Sequence, residues 1–165
     1  MAAADVKLRR EVYRDDVEKM VEWLQDERVT RHLNEDQNID DKLERLLFGT
    51  SLPIFSAQFN RDGVFFLITL PDQGPIGFLR LISHRDEAEV VIVIGERSQW
   101  GNGYGHAALK KALRHAFLEW RKDQVVAKIH KRNLRSRHVF RKMGFAESRE
   151  LEAEVEYTMP FQAAI

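Results

Sequence analysis

The alternation of apolar and polar positions divides the chain into short strands and amphipathic helices. Apolar side chains recur every three or four positions from residue 15 to residue 25, which predicts a helix with one buried face. The same periodicity predicts further helices over residues 27–33, 39–48, 107–120 and 134–143. Apolar or alternating runs bounded by turn residues predict strands over residues 6–12, 64–70, 75–83, 88–94, 124–129 and 152–161.

The order of these elements predicts the fold class. The segments Asn60-Arg61-Asp62-Gly63 and Pro71-Asp72-Gln73-Gly74 are short turns between apolar runs, and they predict antiparallel hairpins in the middle of the chain. Later strands alternate with helices. We therefore expect an α+β fold in which a mixed, mostly antiparallel sheet of six or seven strands carries helices on both faces, within a single domain over residues 1–165.

Composition narrows the classes of function. The chain of 165 residues carries 26 Lys and Arg against 26 Asp and Glu, whereas a general nucleic-acid binder needs a basic excess. The absence of cysteine excludes disulfides, thiolate zinc sites and a cysteine nucleophile. No apolar run approaches the length of a membrane span, and the first residues do not resemble a signal peptide. We expect a soluble cytoplasmic protein with no nucleic-acid or membrane partner.

A glycine-rich segment follows the predicted strand 88–94 and precedes a predicted helix. Gly101, Gly103 and Gly105 alternate within Ser98-Gln99-Trp100-Gly101-Asn102-Gly103-Tyr104-Gly105-His106. Glycine allows positive φ and lets a ligand approach the main chain closely. The first N–H groups of a helix have no intrahelical partner and favour an anion. A strand, a glycine turn and a helix in this order predict a site for the diphosphate of a cofactor.

Three kinds of glycine loop compete for this segment. A Walker A loop requires Lys-Ser or Lys-Thr after its glycines, and neither follows here. A dinucleotide fingerprint fits Gly103-Tyr104-Gly105-His106-Ala107-Ala108 literally, but the next strand ends in His130-Lys131-Arg132 instead of the acid that holds a ribose. The third kind is an acetyl-CoA loop.

The segment resembles the acetyl-CoA loop of the GCN5-related N-acetyltransferases (GNAT), which reads Gln/Arg-x-x-Gly-x-Gly/Ala. Trp100 stands where Gln or Arg is usual, and this variant is similar to the branch that acetylates ribosomal-protein N-termini. Downstream, the segment from Asn133 to Phe145 is similar to the family's Asn-x-x-Ser/Ala-x-x-Leu-Tyr-x-Lys-x-Gly-Phe. The likeness covers residues 60–160 well and residues 1–50 only in general shape.

The resemblance implies a fold and an activity. The fourth and fifth strands would splay apart, with the pantetheine arm in the gap. The enzyme would be an N-acetyltransferase that uses acetyl-CoA as cosubstrate and acetylates a primary amine of a small molecule or protein N-terminus by direct attack in a ternary complex. A homodimer is common in the family. The alternative is a CoA-binding module without turnover, acting as a sensor or interaction protein.

The resemblance also assigns cofactor contacts to three segments. The predicted cofactor-binding residues are Val93, Ile94 and Gly95 at the strand end, Trp100, Gly101, Asn102, Gly103, Tyr104 and Gly105 in the loop, and Asn133, Arg135 and Phe140 in the later segment. Main-chain amides of the loop would hold the pyrophosphate, and main-chain groups at the strand end would bond the pantetheine. Asn133 is also a favoured helix N-cap.

Glu89 and Ser136 are the predicted catalytic residues. Glu89 falls where a histone-modifying branch of the family places its catalytic glutamate, and a buried carboxylate can take a proton from an amine through water. Phe140 occupies the place where many relatives carry the tyrosine that protonates the leaving thiolate, so water, Ser136 or Tyr157 would have to substitute.

The histidines and the acceptor-binding segments are less informative about the reaction. The six histidines show no metal-ligand spacing, so no metal is predicted, and a lone histidine such as His32 on the predicted acceptor wall is more often structural. Residues 25–60 and 148–156 would bind the acceptor, whose identity the sequence leaves open.

Overall fold

The computed structural model describes residues 5–33, 39–61, 63–71 and 73–164, with only the backbone for residues 39 and 40. Its strands are β1 (Lys7–Arg9), β2 (Gly63–Leu70), β3 (Gly74–His84), β4 (Glu87–Ile94), β5 (Gln124–His130), β6 (Ala146–Glu150) and β7 (Glu154–Pro160). Its helices are α1 (Arg14–Gln25), α2 (Glu27–Thr30), α3 (Ile39–Phe48), α4 (Ser56–Phe59), α5 (Tyr104–Arg114), α6 (Leu134–Met143) and α7 (Phe161–Ala164). Asp62 and Asp72 of the predicted turns lie outside the described residues.

The seven strands form one sheet in the order β1-β2-β3-β4-β5-β7-β6. Neighbouring strands are antiparallel except for β4 and β5, which run parallel. The parallel pair requires a crossover, and α5 supplies it. The predicted α+β class with a mostly antiparallel sheet is therefore confirmed.

The parallel strands β4 and β5 pair only at their beginnings. Glu87, Ala88 and Glu89 face Gln124, Val125 and Val126, whereas the strands run on to residues 94 and 130 without pairing with each other. Each keeps its antiparallel partner on the other side, β3 for β4 and β7 for β5. The two halves of the sheet therefore diverge and leave a V-shaped gap, the splay that the resemblance implies.

Two hydrophobic cores cover the two faces of the sheet. Leu109 of α5 and Phe140 of α6 belong to the first core, together with Val90 of β4. Trp23 of α1 belongs to the second, together with Val93. Because side chains alternate across a strand, β4 contributes to both cores. Helices cover both faces of the sheet, α5 and α6 on one and α1 on the other. The gap beside β4 is thus bordered by helices on either face.

The structure shortens the first predicted strand. Only Lys7, Leu8 and Arg9 pair with β2, although a strand was expected over residues 6–12. Val12 is held differently: its N–H donates to Ser56 Oγ at 2.9 Å and its carbonyl accepts from Phe55 N at 2.7 Å. This local pairing with the segment before β2 ends the strand early.

Other boundaries differ as well. The helix expected over residues 107–120 begins at Tyr104 and ends in a π-helical turn over His115–Glu119. The helix expected over residues 27–33 is the single turn α2, and the strand expected over residues 152–161 is β7. Neither α4 nor β6 was predicted individually. The helix α4 is a single turn of four residues, and every residue of β6 is exposed, so this edge strand shows no apolar alternation.

Candidate active site

A cavity of about 740 Å³ occupies the gap between β4 and β5. Residues 90–94 of β4 line one side and residues 127–129 of β5 line the other. The glycine loop and the first turns of α5 and α6 contribute from one face of the sheet, and Arg28, Val29, His32 and Leu33 contribute from the segment around α2. The volume lies in the range of small-molecule and cofactor sites.

The glycine loop turns at two residues in the left-handed region. Gly101 has φ of +81° and Gly103 has φ of +80°, a conformation that residues with a Cβ rarely adopt. Gly103 precedes α5, and its carbonyl accepts from Ala107 N at 3.1 Å. The N–H groups of residues 104–106 come before this first bond, and these residues line the cavity. This end of the cavity is therefore suited to an anionic group.

Trp100 connects the loop to the strand before it and to α6. Its indole Nε1 donates to the carbonyl of Ile94 at 2.8 Å. The guanidinium of Arg135 stacks on the indole ring, 3.5 Å from its centroid. Both residues line the cavity, so a cation that remains charged at all relevant pH lies at the same end as the α5 N-terminus.

Besides Arg135, three predicted residues of α6 and its N-cap line the cavity: Asn133, Ser136 and Phe140. Asn133 is the N-cap, and its Oδ1 accepts from Ser136 N at 3.2 Å. Ser136 and Phe140 are four residues apart and therefore share a helix face. Phe140 is buried and packs edge-on against Phe145, with ring centroids 4.9 Å apart.

Most of the predicted site residues meet in this one cavity. It is lined by Glu89, Val93, Ile94, Trp100, Gly101, Gly103, Tyr104, Gly105, Asn133, Arg135, Ser136 and Phe140. Gly95 and Asn102 are not among its lining residues. The N–H of Gly95 donates to the Ile76 carbonyl at 2.8 Å, and Asn102 Nδ2 donates to the Gln99 carbonyl at 3.2 Å, so both groups are bonded within the protein.

The sequence matches a family model described as the acetyltransferase (GNAT) domain over residues 7–146. The chain belongs to the GNAT family. As an N-acetyltransferase of this family it uses acetyl-CoA as cosubstrate and transfers the acetyl group to an amine. No protein of curated function matches the chain significantly in sequence.

Solved structures share the GNAT fold over nearly the whole chain. The spermidine N-acetyltransferase from Vibrio cholerae in complex with CoA and spermine is 17% identical with a TM-score of 0.78, over 97% of this chain and 98% of that chain. An aminoglycoside acetyltransferase in complex with coenzyme A is 17% identical with a TM-score of 0.74, over 96% of each chain. A domain from Methanocaldococcus jannaschii is 18% identical with a TM-score of 0.75, over 94% of this chain and 98% of that chain.

Glu89 lies at the closed end of the gap in this GNAT domain. It forms the last residue pair between β4 and β5, opposite Val126. The carboxylate lines the cavity, and its Oε1 lies 3.2 Å from Nε2 of the exposed His84. Its role as proton acceptor stays a prediction, and the imidazole of His84 is a competing partner for the same oxygen.

Tyr157 does not take the place of the tyrosine that Phe140 replaces. Its ring is fully buried, and its hydroxyl lies 2.9 Å from Arg137 Nε and 3.2 Å from Glu147 Oε1. Hydrogen bonds from Arg141 and Arg137 hold the pKa of Glu147 below its usual value, so the carboxylate is charged and accepts from the hydroxyl. This network joins β6 and β7 to α6, and Tyr157 is not among the residues that line the cavity.

We expect Tyr157→Phe to weaken the fold and to leave acetyl transfer unchanged. The variant removes one acceptor from Arg137 and one donor to Glu147, and it lowers the free energy of unfolding by about 1 kcal/mol, the net contribution of an ordinary hydrogen bond, because water can reach both charged partners. Urea unfolding and thiol release from acetyl-CoA measure the two quantities separately. A large drop in kcat at unchanged stability would instead place this hydroxyl in the reaction.

The structure adds a histidine that the sequence did not assign. His32 lines the cavity just after α2, and its ring stacks on that of His130 with centroids 4.9 Å apart. Within the described ranges, Nδ1 of His32 is buried and has no hydrogen-bond partner. No spacing along the chain signals this contact, because α2 and the end of β5 meet only in the folded protein.

The surroundings of His32 favour its neutral form. Burial lowers the pKa of the imidazole below its usual 6.5, and the neighbouring His130 ring and the cationic Arg31, Arg132 and Arg135 lower it further. The neutral ring is therefore the main form at pH 7, and a neutral imidazole can accept a proton.

Two kinds of feature, a metal-ligand cluster and a membrane-spanning helix, were not found in the described part of the chain. Its His, Asp and Glu side chains form no group of three or more that is arranged to hold a metal ion. Its helices are all too short or too polar to span a membrane.

Proposed function

We propose that this GNAT enzyme acetylates a primary amine of a small molecule or protein N-terminus by direct attack on acetyl-CoA in a ternary complex. One observation carries the proposal: a single cavity is lined by the glycine loop, by both splayed strands and by the segment around α2 on the opposite face. Such a cavity offers the cofactor and the acceptor separate approaches to a common point.

The parts of the cofactor correspond to successive parts of the cavity. The amides of the glycine loop and the first turn of α5 would hold the pyrophosphate, with Arg135 supplying a charge-assisted contact. The pantetheine arm would lie along residues 90–94, where β4 has no partner strand on the gap side. Phe140 would pack beside the arm. This arrangement brings the thioester into the gap.

Direct attack has three chemical requirements. The amine must be neutral, the tetrahedral oxyanion needs a donor, and the leaving thiolate benefits from a proton. Glu89 would take the proton from the amine through water. Ser136 shares the face of α6 on which Phe140 lies, so its hydroxyl is the protein group best placed to protonate the thiolate.

Two classes of amine are the first acceptors to test. Proteins of the same fold are named for acetylation of spermidine and of aminoglycosides, which supports small polyamines and amino sugars as probes. The Trp100 variant of the loop supports a peptide with a free N-terminus, as in the ribosomal-protein branch. The proposal does not depend on the predicted homodimer.

Thermal unfolding with CoA, acetyl-CoA and NADH tests the proposal. A ligand at 100 times its Kd stabilises the fold by about 2.7 kcal/mol, so we expect a clear rise in Tm with CoA and acetyl-CoA and none with NADH. Thiol release in the presence of spermidine, kanamycin and a short peptide then tests turnover. An absent response to CoA would contradict the proposal, and a response to NADH would favour the dinucleotide fingerprint.

The absence of a tyrosine at position 140 favours one alternative. If CoA raises the Tm but none of the amines yields free thiol, the chain is better described as a CoA-binding module that acts as a sensor or interaction protein.

A further inference from the structure

The described lining of the cavity contains four side chains that can take a proton from an amine. They are Glu89, His32, His106 and His138. His106 lies in the first turn of α5, where the diphosphate would bind, and His138 is exposed on α6. Glu89 already shares its Oε1 with His84. His32 differs from all of these, since its Nδ1 is buried inside the protein with no partner in the described residues.

We propose that His32 is the group that takes the proton from the acceptor amine, and that the stacked ring of His130 fixes its orientation. The inference deepens the proposed function and rests on it, because a proton acceptor is useful only if an amine attacks the thioester in this cavity. It assigns to His32 the role that was predicted for Glu89.

The segment that carries His32 is anchored at both ends of α2. Asp26 is the N-cap, and its carboxylate accepts from Arg28 N at 3.0 Å. The same carboxylate accepts from Arg97 Nε at 2.7 Å, which ties α2 to the segment that follows β4. Leu33 N donates to the Thr30 carbonyl at 3.0 Å and closes the turn that contains His32.

His130 is suited to hold the ring rather than to accept the proton. It belongs to β5 and pairs with Glu154 of β7, so its backbone is fixed in the sheet. Its Nδ1 accepts from the backbone N–H of Arg132 at 3.1 Å and is therefore engaged. The stack places the imidazole of His130, whose Nδ1 is already hydrogen-bonded, against the face of the His32 imidazole.

The charges around His32 make its imidazole a weak base, and a weak base is enough for the proton that it would receive. When the amine nitrogen forms a bond to the thioester carbonyl carbon, it becomes cationic and acidic, so a weak base is sufficient. His32 takes that proton, the C–S bond breaks, and the proton returns to the thiolate by way of Ser136 or water. The products are an amide and the thiol of CoA. Besides burial, the groups that lower the pKa of His32 are His130, Arg31, Arg132 and Arg135, and they disfavour a lasting positive charge on its ring.

The test compares His32→Gln with His115→Gln. His115 is also partly buried, has an unpartnered Nε2 and a pKa lowered by burial, but it packs against Phe66 and Trp120 outside the cavity. We expect His32→Gln to lower kcat about 100-fold at pH 7 with CoA affinity retained. Wild-type kcat should fall as pH drops through the His32 pKa, below 6.5, because the imidazole then becomes protonated. This decline should disappear in His32→Gln and persist in His115→Gln.

Two outcomes would overturn the proposal. One is a His32→Gln variant with full kcat and an unchanged acidic decline. The other is loss of that decline in Glu89→Gln instead, which would return the role to the carboxylate.

Imidazole NMR provides a reading that does not depend on turnover. The resonance absent from His32→Gln should titrate below pH 6.5 and shift on addition of CoA, while that of His115 should not respond to CoA. If CoA raises the Tm but leaves the His32 resonance unchanged, His32 does not lie beside the cofactor and the inference fails alone. If CoA does not bind at all, the proposed function fails with it.

Discussion

Gly101→Val is expected to lower the affinity for CoA by about 100-fold or more. Gly101 has φ of +81°, where a β-branched residue is strongly disfavoured, so the loop must either bear the strain or change its conformation. A change would move the amides that precede the first bond of α5 away from the pyrophosphate. A 100-fold loss corresponds to about 2.7 kcal/mol of binding free energy, and the Tm shift produced by CoA measures it.

Gly74→Val is a matched control for this substitution. Gly74, the first residue of β3, has φ of +74°, and a Cβ added at either glycine meets no other atom within 4 Å. The two variants therefore impose a similar backbone strain of about 1–3 kcal/mol. Only Gly101 lines the cavity, so only Gly101→Val should lose CoA binding. Equal loss of CoA binding in both variants would mean that general destabilisation, not the loop, is responsible.

The local features of the site could be predicted from the sequence because they depend on neighbours along the chain. Alternating glycines between a strand and a helix indicated the turn, and Gly101 and Gly103 do adopt positive φ. Asn133 was predicted as an N-cap and is one. The splay of β4 and β5 came from the family resemblance instead, since strand periodicity predicts that a strand exists but not which of its residues pair.

Features that depend on tertiary contacts were not predictable. The stack of His32 on His130 requires α2 to pack beside the end of β5, and nothing near either residue signals this. Tyr157 was left open as a proton donor because its hydroxyl is chemically competent. Only the folded structure shows that Arg137 and Glu147 occupy that hydroxyl.

Gly95→Ala is expected to destabilise the fold by about 2–3 kcal/mol, because a Cβ at this position would overlap the indole of Trp23. Trp23 is almost fully buried in α1, and its Nε1 donates to Glu96 Oε1 at 2.9 Å. Lys19 lies 3.0 Å from the same oxygen. The substitution would therefore separate α1 from the end of β4 and disturb the wall that the acceptor approaches.

The same contact gives the stability a defined pH dependence. Burial raises the pKa of Glu96, but the hydrogen bonds from Trp23 and Lys19 outweigh burial, so the pKa lies below its ordinary 4.5. The carboxylate therefore contributes stability above pH 4.5, and this contribution disappears as pH falls through the lowered pKa. Urea unfolding at neutral and acidic pH should show that acidification lowers the free energy of unfolding less in Gly95→Ala than in the wild type.

A double-mutant cycle with Trp23→Leu tests whether the overlap is the cause. Trp23→Leu alone removes most of a buried aromatic side chain and should cost about 3 kcal/mol. A leucine lacks the ring atoms that the new Cβ would meet, so Gly95→Ala should cost about 1–2 kcal/mol less in the Trp23→Leu background than in the wild type. If the two changes in the free energy of unfolding are simply additive, the alanine at position 95 acts through the backbone and not through overlap with Trp23. In that case α1 is not displaced from the acceptor side.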